Sequence, residues 1–413
     1  MTRALRSFYG FVALRWFRLT GALWILYLLH VGWTLGQVGL AEAAYHVVSF
    51  TSDVPTGAFA DRFGRRTSVV TGLGLAAVLD IVLYLVAPHH VLAGSVVLGL
   101  SALSWTFIGG ADAALLHSLS EKTPAGSAGY ARLYGRMDAI GLLSGAVAAV
   151  LGGYLAVRHG WIWPYAGEAA AMALAIPLVL RVPRMARSAP SASPPAAALL
   201  AQVRETVRTV RRGSALAGLV LFGAVLGIVA TSNHLYAQAT LVDKGLGVFG
   251  ATLVIGGADL LSAAASAFSH RFGRRLRALG LLAVVLAFSV WGVGAAAGLW
   301  AVAAYALTAA ASGGTDVLFV TELNRRAPEH LRAGILSVPN SLFSLGMIAI
   351  FPLSGFLMPR FGLGLVYGGW GLFLLAALAL WSARPGGAGS RLGGRRQPET
   401  DRTLASPAPR PSG

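Results

Sequence analysis

Apolar residues in this chain come in long uninterrupted runs, not in the alternations of a soluble helix or strand. A helix needs about 20 predominantly apolar residues to cross a bilayer. Runs of that kind fall at 12–31, 36–60, 67–87, 91–118, 137–157 and 161–181, and then at 214–241, 248–269, 276–297, 299–320, 334–357 and 361–382. The pattern predicts an all-α polytopic membrane protein with twelve transmembrane helices in two blocks of six. Residues 1–181 make an N-terminal bundle, 182–213 a cytoplasmic linker, 214–383 a C-terminal bundle and 384–413 a basic tail. The linker carries Pro183, Pro190, Pro194 and Pro195, and the Gly/Pro/Arg-rich tail has a composition expected to be disordered.

Composition agrees, and charge adds the orientation. Of 413 residues, 56% are hydrophobic and 12% charged, yet the net charge is +17; soluble domains carry about 25% charged residues. Thirty of the 33 Lys and Arg fall in segments on one side of the expected spans, Arg15 and Arg18 among them, and Arg158, Lys244 and Arg360 fall on the other. Such a bias places both termini and the linker on the cytoplasmic side of the membrane. It also removes the nucleic-acid reading of a basic chain, because no basic folded domain accompanies it. No small-residue cleavage site follows the basic N-terminal segment, so the first span is expected to be uncleaved. The absence of cysteine excludes disulfides and Cys-ligated zinc.

The two blocks resemble each other. Arg62-Phe63-Gly64-Arg65-Arg66 recurs as Arg271-Phe272-Gly273-Arg274-Arg275, Gly109-Gly110-Ala111-Asp112 as Gly313-Gly314-Thr315-Asp316, and Gly153-Tyr154-Leu155 as Gly355-Phe356-Leu357. The order is kept and the offset drifts only from 209 to 202. A tandem pair of six-helix units in the same orientation is the simplest account.

Asp53-Val54-Pro55-Thr56-Gly57-Ala58-Phe59-Ala60-Asp61-Arg62-Phe63-Gly64-Arg65-Arg66 resembles the signature joining the second and third helices in the major facilitator superfamily, in its drug-exporter-like bacterial branch. The resemblance covers essentially the whole chain and implies transport by alternating access. On this reading Asp53, Pro55, Gly57, Asp61, Arg62, Gly64, Arg65 and Arg66 form a cytoplasmic clasp, with glycines for a sharp turn and close packing and Asp61 pairing with Arg65 or capping a neighbouring helix. A topology marker with a turn is the plainer alternative. Two departures stand against proton-driven drug export: the fourth span has no arginine, and Ala148-Ala149 stand where Gly-Pro is expected.

Ionisable residues within spans are costly, and each is a functional candidate. Glu42, His46, Ser49, Asp53 and Thr56 share one face of the second span, where Glu42 and His46 either share a proton or form part of a buried seam. Asp112 and Asp316 occupy matched positions in the fourth and tenth spans; the resemblance places both on the central path, and structural pairing with loop arginines such as Arg136 or Arg332 is the alternative. Asn233, His234 and Gln238 line the seventh span, where His234 is either a protonation switch or a satisfied buried histidine. Tyr27 is placed at the external mouth, Tyr305 on the path and Trp105 in an apolar substrate wall. Trp161, Trp163, Trp300, Trp370 and Trp381 are expected at the membrane interfaces. Asp80, Glu168 and Asp259 have no role in this reading.

The function expected is secondary transport of a small organic molecule, drug-like or metabolite, by a monomer. Proton-coupled efflux leads, with import of a small solute as the alternative within transporters. A membrane enzyme or receptor-like scaffold is the rival class. No phosphate-binding loop and no catalytic or metal-ligating constellation is present in the sequence, so no cofactor and no metal are expected.

Overall fold

Among the described residues fourteen α-helices build twelve spans, because the first and the fourth are each broken in two. The computed structural model describes residues 3–121, 130–183, 204–206, 208–271 and 275–384. In chain order the first six spans are α1 (Arg3–Trp16) with α2 (Trp24–His30), α3 (Leu35–Phe63), α4 (Arg65–Val86), α5 (Val91–Ile108) with α6 (Ala111–Ser120), α7 (Tyr130–His159) and α8 (Ile162–Leu180). The last six are α9 (Ser214–Asp243), α10 (Val248–Phe268), α11 (Arg275–Ala295), α12 (Gly298–Arg326), α13 (Arg332–Phe361) and α14 (Leu363–Ser382). Among the described residues there is no strand. Most of the linker and all but Arg384 of the tail fall outside these residues, as do Lys122 and the Phe272–Arg274 part of the second motif copy; the described linker residues 204–206 and 208–212 are helical.

The first span corrects the hydropathy reading. It begins at Arg3 instead of residue 12 and breaks at residues 17–23, so Arg15 and Arg18 lie inside the bundle and not in a loop. Leu5, Phe8, Phe11 and Val12 are buried and pack the first turns against α7 and α8. Their burial outweighs the arginines that interrupt the apolar run. The break has a cause in its neighbour: the Thr20 N–H donates to the Glu168 carboxylate of α8 and not to a helical carbonyl.

Two copies of one glycine motif fold differently. Gly110 adopts φ +74°, a left-handed conformation that separates α5 from α6. Gly313 and Gly314, its counterparts, stay within α12, where a side chain at 313 would run into the backbone of Ser262 on α10. In the second half the glycine serves close helix packing, and the fourth span of the first half uses it to break.

Across the molecule the two halves meet along α3 with α13 and α7 with α10. Both seams are tightest at the end remote from the arginine-rich loops. A side chain at Gly39 would meet Pro352 Cα at 2.6 Å, and one at Gly355 would enter the backbone of Leu35. In the matched seam, Gly153 faces Thr252, and Gly256 lies against the Ala146 carbonyl. Small residues permit this approach, as in membrane helix pairs generally. Towards the arginine-rich end α3 leaves its neighbours: Val54 is 70% exposed, and Asp53 and Asp61 are exposed. The molecule is sealed at one end and open between the halves at the other.

Of the tryptophans expected at the membrane interfaces, Trp163 and Trp300 are exposed, whereas Trp370 and Trp381 are buried. Trp370 Nε1 donates to Ser354 Oγ at 3.0 Å, and Trp381 stacks on Phe222. A partner for the indole or the ring within the second half draws them inward.

Candidate substrate cavity

A cavity of about 240 Å³ lies where the broken first span faces α3, α4, α5 and α8, with Thr231 and Leu235 of α9 closing the side nearest the other half. The break supplies its principal cation. Arg18 Nε donates to Glu168 Oε1 at 3.2 Å, and its guanidinium lies 4.6 Å from the Trp105 ring centroid. Glu168 is fully engaged, since its Oε2 also accepts from Thr20 N at 2.7 Å and Thr20 Oγ1 at 2.6 Å. Asp80, one helix away, interacts electrostatically with Arg18, but its Oδ2 is buried without a hydrogen bond. Glu42 and His46 are buried, with His46 Nε2 at 3.5 Å from Glu42 Oε1. Charges from four spans, the broken first span with α3, α4 and α8, therefore converge on one space with aromatic and aliphatic walls.

Asp112 belongs to a different arrangement. It forms a buried ion pair with Arg15, and its Oδ1 accepts from the Ala113 N–H. Neither Arg136 nor Arg332 is its partner. Its counterpart Asp316 is exposed and, among the described residues, unpaired, so the matched positions are not equivalent in space.

The seventh-span candidates separate as well. Gln238 is buried and joins the halves: its Oε1 accepts from Ile25 N at 3.2 Å and its Nε2 donates to the Gly21 carbonyl at 3.1 Å. His234 Nδ1 lies 3.1 Å from Tyr305 Oη and 3.8 Å from Asp259 Oδ1, bringing Asp259 into a cluster with two expected residues. Asn233 is buried with Oδ1 free of hydrogen bonds. Tyr27 is 2% exposed; its hydroxyl donates to the Tyr84 carbonyl at 2.5 Å inside a cluster of Tyr84, Trp161 and Tyr165. A shallow, open hollow of about 300 Å³ beside that cluster, lined by Tyr27 and His30, lies where the mouth was expected.

Two pseudo-equivalent halves, with a cavity in the first half closed by Thr231 and Leu235 of the second, agree with what comparison finds. The profile of the Major Facilitator Superfamily matches residues 7–349. The chain belongs to that superfamily. A curated relative, the uncharacterized MFS-type transporter YxaM of Bacillus subtilis, is 36% identical over 66 residues, which is 16% of this chain and 16% of the relative's length. Among solved structures, a point mutant of the nucleoside transporter NupG superposes with a TM-score of 0.74 at 12% identity, over 91% of this chain and 99% of NupG. A D-xylose–proton symporter superposes with a TM-score of 0.68 at 14% identity, over 91% and 96%. An inward-open structure of the xylose transporter XylE from E. coli gives 0.67 at 15%, over 91% and 94%. At such identities these likenesses concern the fold.

In this major facilitator the signature segment spans the end of α3 and the start of α4. Pro55 sits inside α3, and Gly64, at φ +93°, turns the chain between the two helices. Gly57 faces open space, so it does not serve the close packing expected of it. Asp61 and Arg65 are exposed, and Asp61 has no hydrogen bond or ion pair among the described residues. Arg62 covers the Phe63 ring, and Arg66 donates to the carbonyls of Leu180 and Val182, both at 3.1 Å.

Arg15, Arg18, Asp80, Glu168 and Tyr165 escaped the sequence reading. One signal was available: the apolar positions Leu5, Phe8 and Phe11 already repeat at helical spacing before residue 12, which would have started the span earlier and set both arginines away from its edge.

Proposed function

We propose that this superfamily member is a secondary transporter that moves a small organic molecule across a bacterial plasma membrane by alternating access between its two six-helix halves, coupled to protons and directed outward. The observation that carries this reading is the pair of glycine-lined seams, α3 with α13 and α7 with α10, closed at one end while the other end stands open. Alternation requires two such arrangements, and this is one of them. With Arg15 and Arg18 taken out of the loops, Lys and Arg still crowd the open end, which supports a cytoplasmic position for it and an inward-facing state. Intramembrane carboxylates at Glu42, Asp80, Asp259 and Asp316 support proton coupling, as does the likeness to a proton symporter. Efflux rests on the resemblance of the 53–66 segment to drug-exporter-like members. Both halves reside in one chain, so a monomer suffices for the path.

The chain has no cysteine, so spin labels can be placed cleanly at Val54 on α3 and Ser337 on α13, both exposed near the open end. In lipid nanodiscs the distance between them is expected to populate a long and a short state whose ratio changes between acidic and alkaline buffer. One unchanging distance under all conditions would overturn alternating access.

A further inference from the structure

Resting on the transporter reading, we infer that the cavity beside the first-span break is a binding site for a small organic cation, with Asp80 as its counter-ion. Seven buried side-chain polar atoms among the described residues lack a hydrogen bond, and four belong to residues lining this one space: Asp80 Oδ2, Ser104 Oγ and Tyr165 Oη, together with His46 Nε2, which faces Glu42 Oε1 at 3.5 Å. Ser104 and Tyr165 are each 1% exposed. Buried polar groups are almost always partnered, so a concentration of unpartnered ones around a cavity marks the place of a polar ligand.

Charge selects the class. The guanidinium of Arg18 is held by Glu168, and Glu42 faces His46. Glu42, Asp80 and Glu168 line the cavity against one arginine, so its formal charge is negative whenever Asp80 is ionised, and Asp80 has no hydrogen-bonded partner to offset the cost of burial. A cation compensates it, whereas an anion would add to the imbalance. The volume, about 240 Å³, equals that of about eight waters at roughly 30 Å³ each, which suits a molecule of around ten heavy atoms. Trp24, Leu79, Leu83 and Leu98 supply apolar walls, so the ligand carries an apolar body behind its charged head.

The test uses the full chain in nanodiscs and three probes of matched shape: phenethylamine as cation, phenethyl alcohol as neutral analogue and 3-phenylpropionate as anion. Calorimetry is expected to show binding of the amine alone. Asp80→Asn should weaken it at least about tenfold, the loss of one charge-assisted contact, with partial recovery in Asp80→Glu. Ser104→Ala and Tyr165→Phe should each weaken it less. Equal binding of the three probes, preference for the anion, or unchanged affinity in Asp80→Asn overturns the cation site. Should Asp80→Asn fail to fold, unchanged affinity in both Ser104→Ala and Tyr165→Phe overturns it instead. Absence of all binding while the Val54–Ser337 distance still switches means a cavity filled by water or protons only, and removes this inference while the transporter reading stands. Amine binding without any switching leaves the site and removes the transporter reading.

Discussion

Gln238 and Ile25 join the two halves of the molecule: the Gln238 Oε1 accepts from the Ile25 N–H at 3.2 Å, at the start of the second piece of the broken first span. The same amide donates to the Gly21 carbonyl at 3.1 Å. The break exposes backbone groups that a continuous helix would have satisfied, and a side chain from the opposite half takes them up. Closure of the sealed end is thus tied to the irregular backbone next to the cavity.

Gln238→Leu strands both backbone groups in this arrangement only. A cost of about 1–3 kcal/mol is expected, shifting populations by roughly one order of magnitude or more towards the opposite state. The Val54–Ser337 distance should shorten accordingly; an unchanged distribution would deny Gln238 a part in closure.

Gly39 and Gly57 lie on the same helix and should answer oppositely to a side chain. Gly39→Val meets the Pro352 backbone and is expected to hold the seam open, again read as a shortened distance at the other end. Gly57→Ala finds open space within a helix and should stabilise by roughly 0.5–1 kcal/mol in thermal unfolding. Destabilisation by Gly57→Ala would mean that a neighbour approaches it in this state.

Arg15 and Asp112 are both 9% exposed at the side chain. Removing one partner leaves a buried charge, so Arg15→Met and Asp112→Leu singly should each cost about 3–5 kcal/mol, and the double substitution much less than their sum. Thermal melts of the four proteins in one detergent measure the coupling. Additive losses would show that the pair is not compensating.

Asp61 is exposed and, among the described residues, makes no ion pair or hydrogen bond in this arrangement. Asp61→Asn is therefore expected to leave the melting temperature of this arrangement within about a degree, in line with surface substitutions. If the segment clasps the opposite arrangement, the same variant should lose the short Val54–Ser337 state. Retention of both states with wild-type populations would leave Asp61 as a topology marker.

Much of the architecture was legible because its constraints are local. Gly64 had to be glycine for the turn between α3 and α4, and Thr34 with Gln37 caps the start of α3 reciprocally, a box formed within four residues. The candidate site was legible only in pieces. Glu42, His46 and Trp105 were found because they sit on polar or central stretches of single helices. Asp80 and Glu168 stood out as isolated charges, but nothing on their own helices shows that both look towards Arg18.

Hydropathy and charge by themselves determined twelve spans, two repeated blocks and the crowded basic end. A bilayer demands that each span satisfy its own backbone and exclude charge, and such demands are written in consecutive residues. Tertiary structure alone decided which charges meet. Arg15 finds Asp112 97 positions away, and Arg18 finds Glu168 150 positions away. Compensation of a buried charge depends on what lies beside it in space, so it became visible only when the helices were packed.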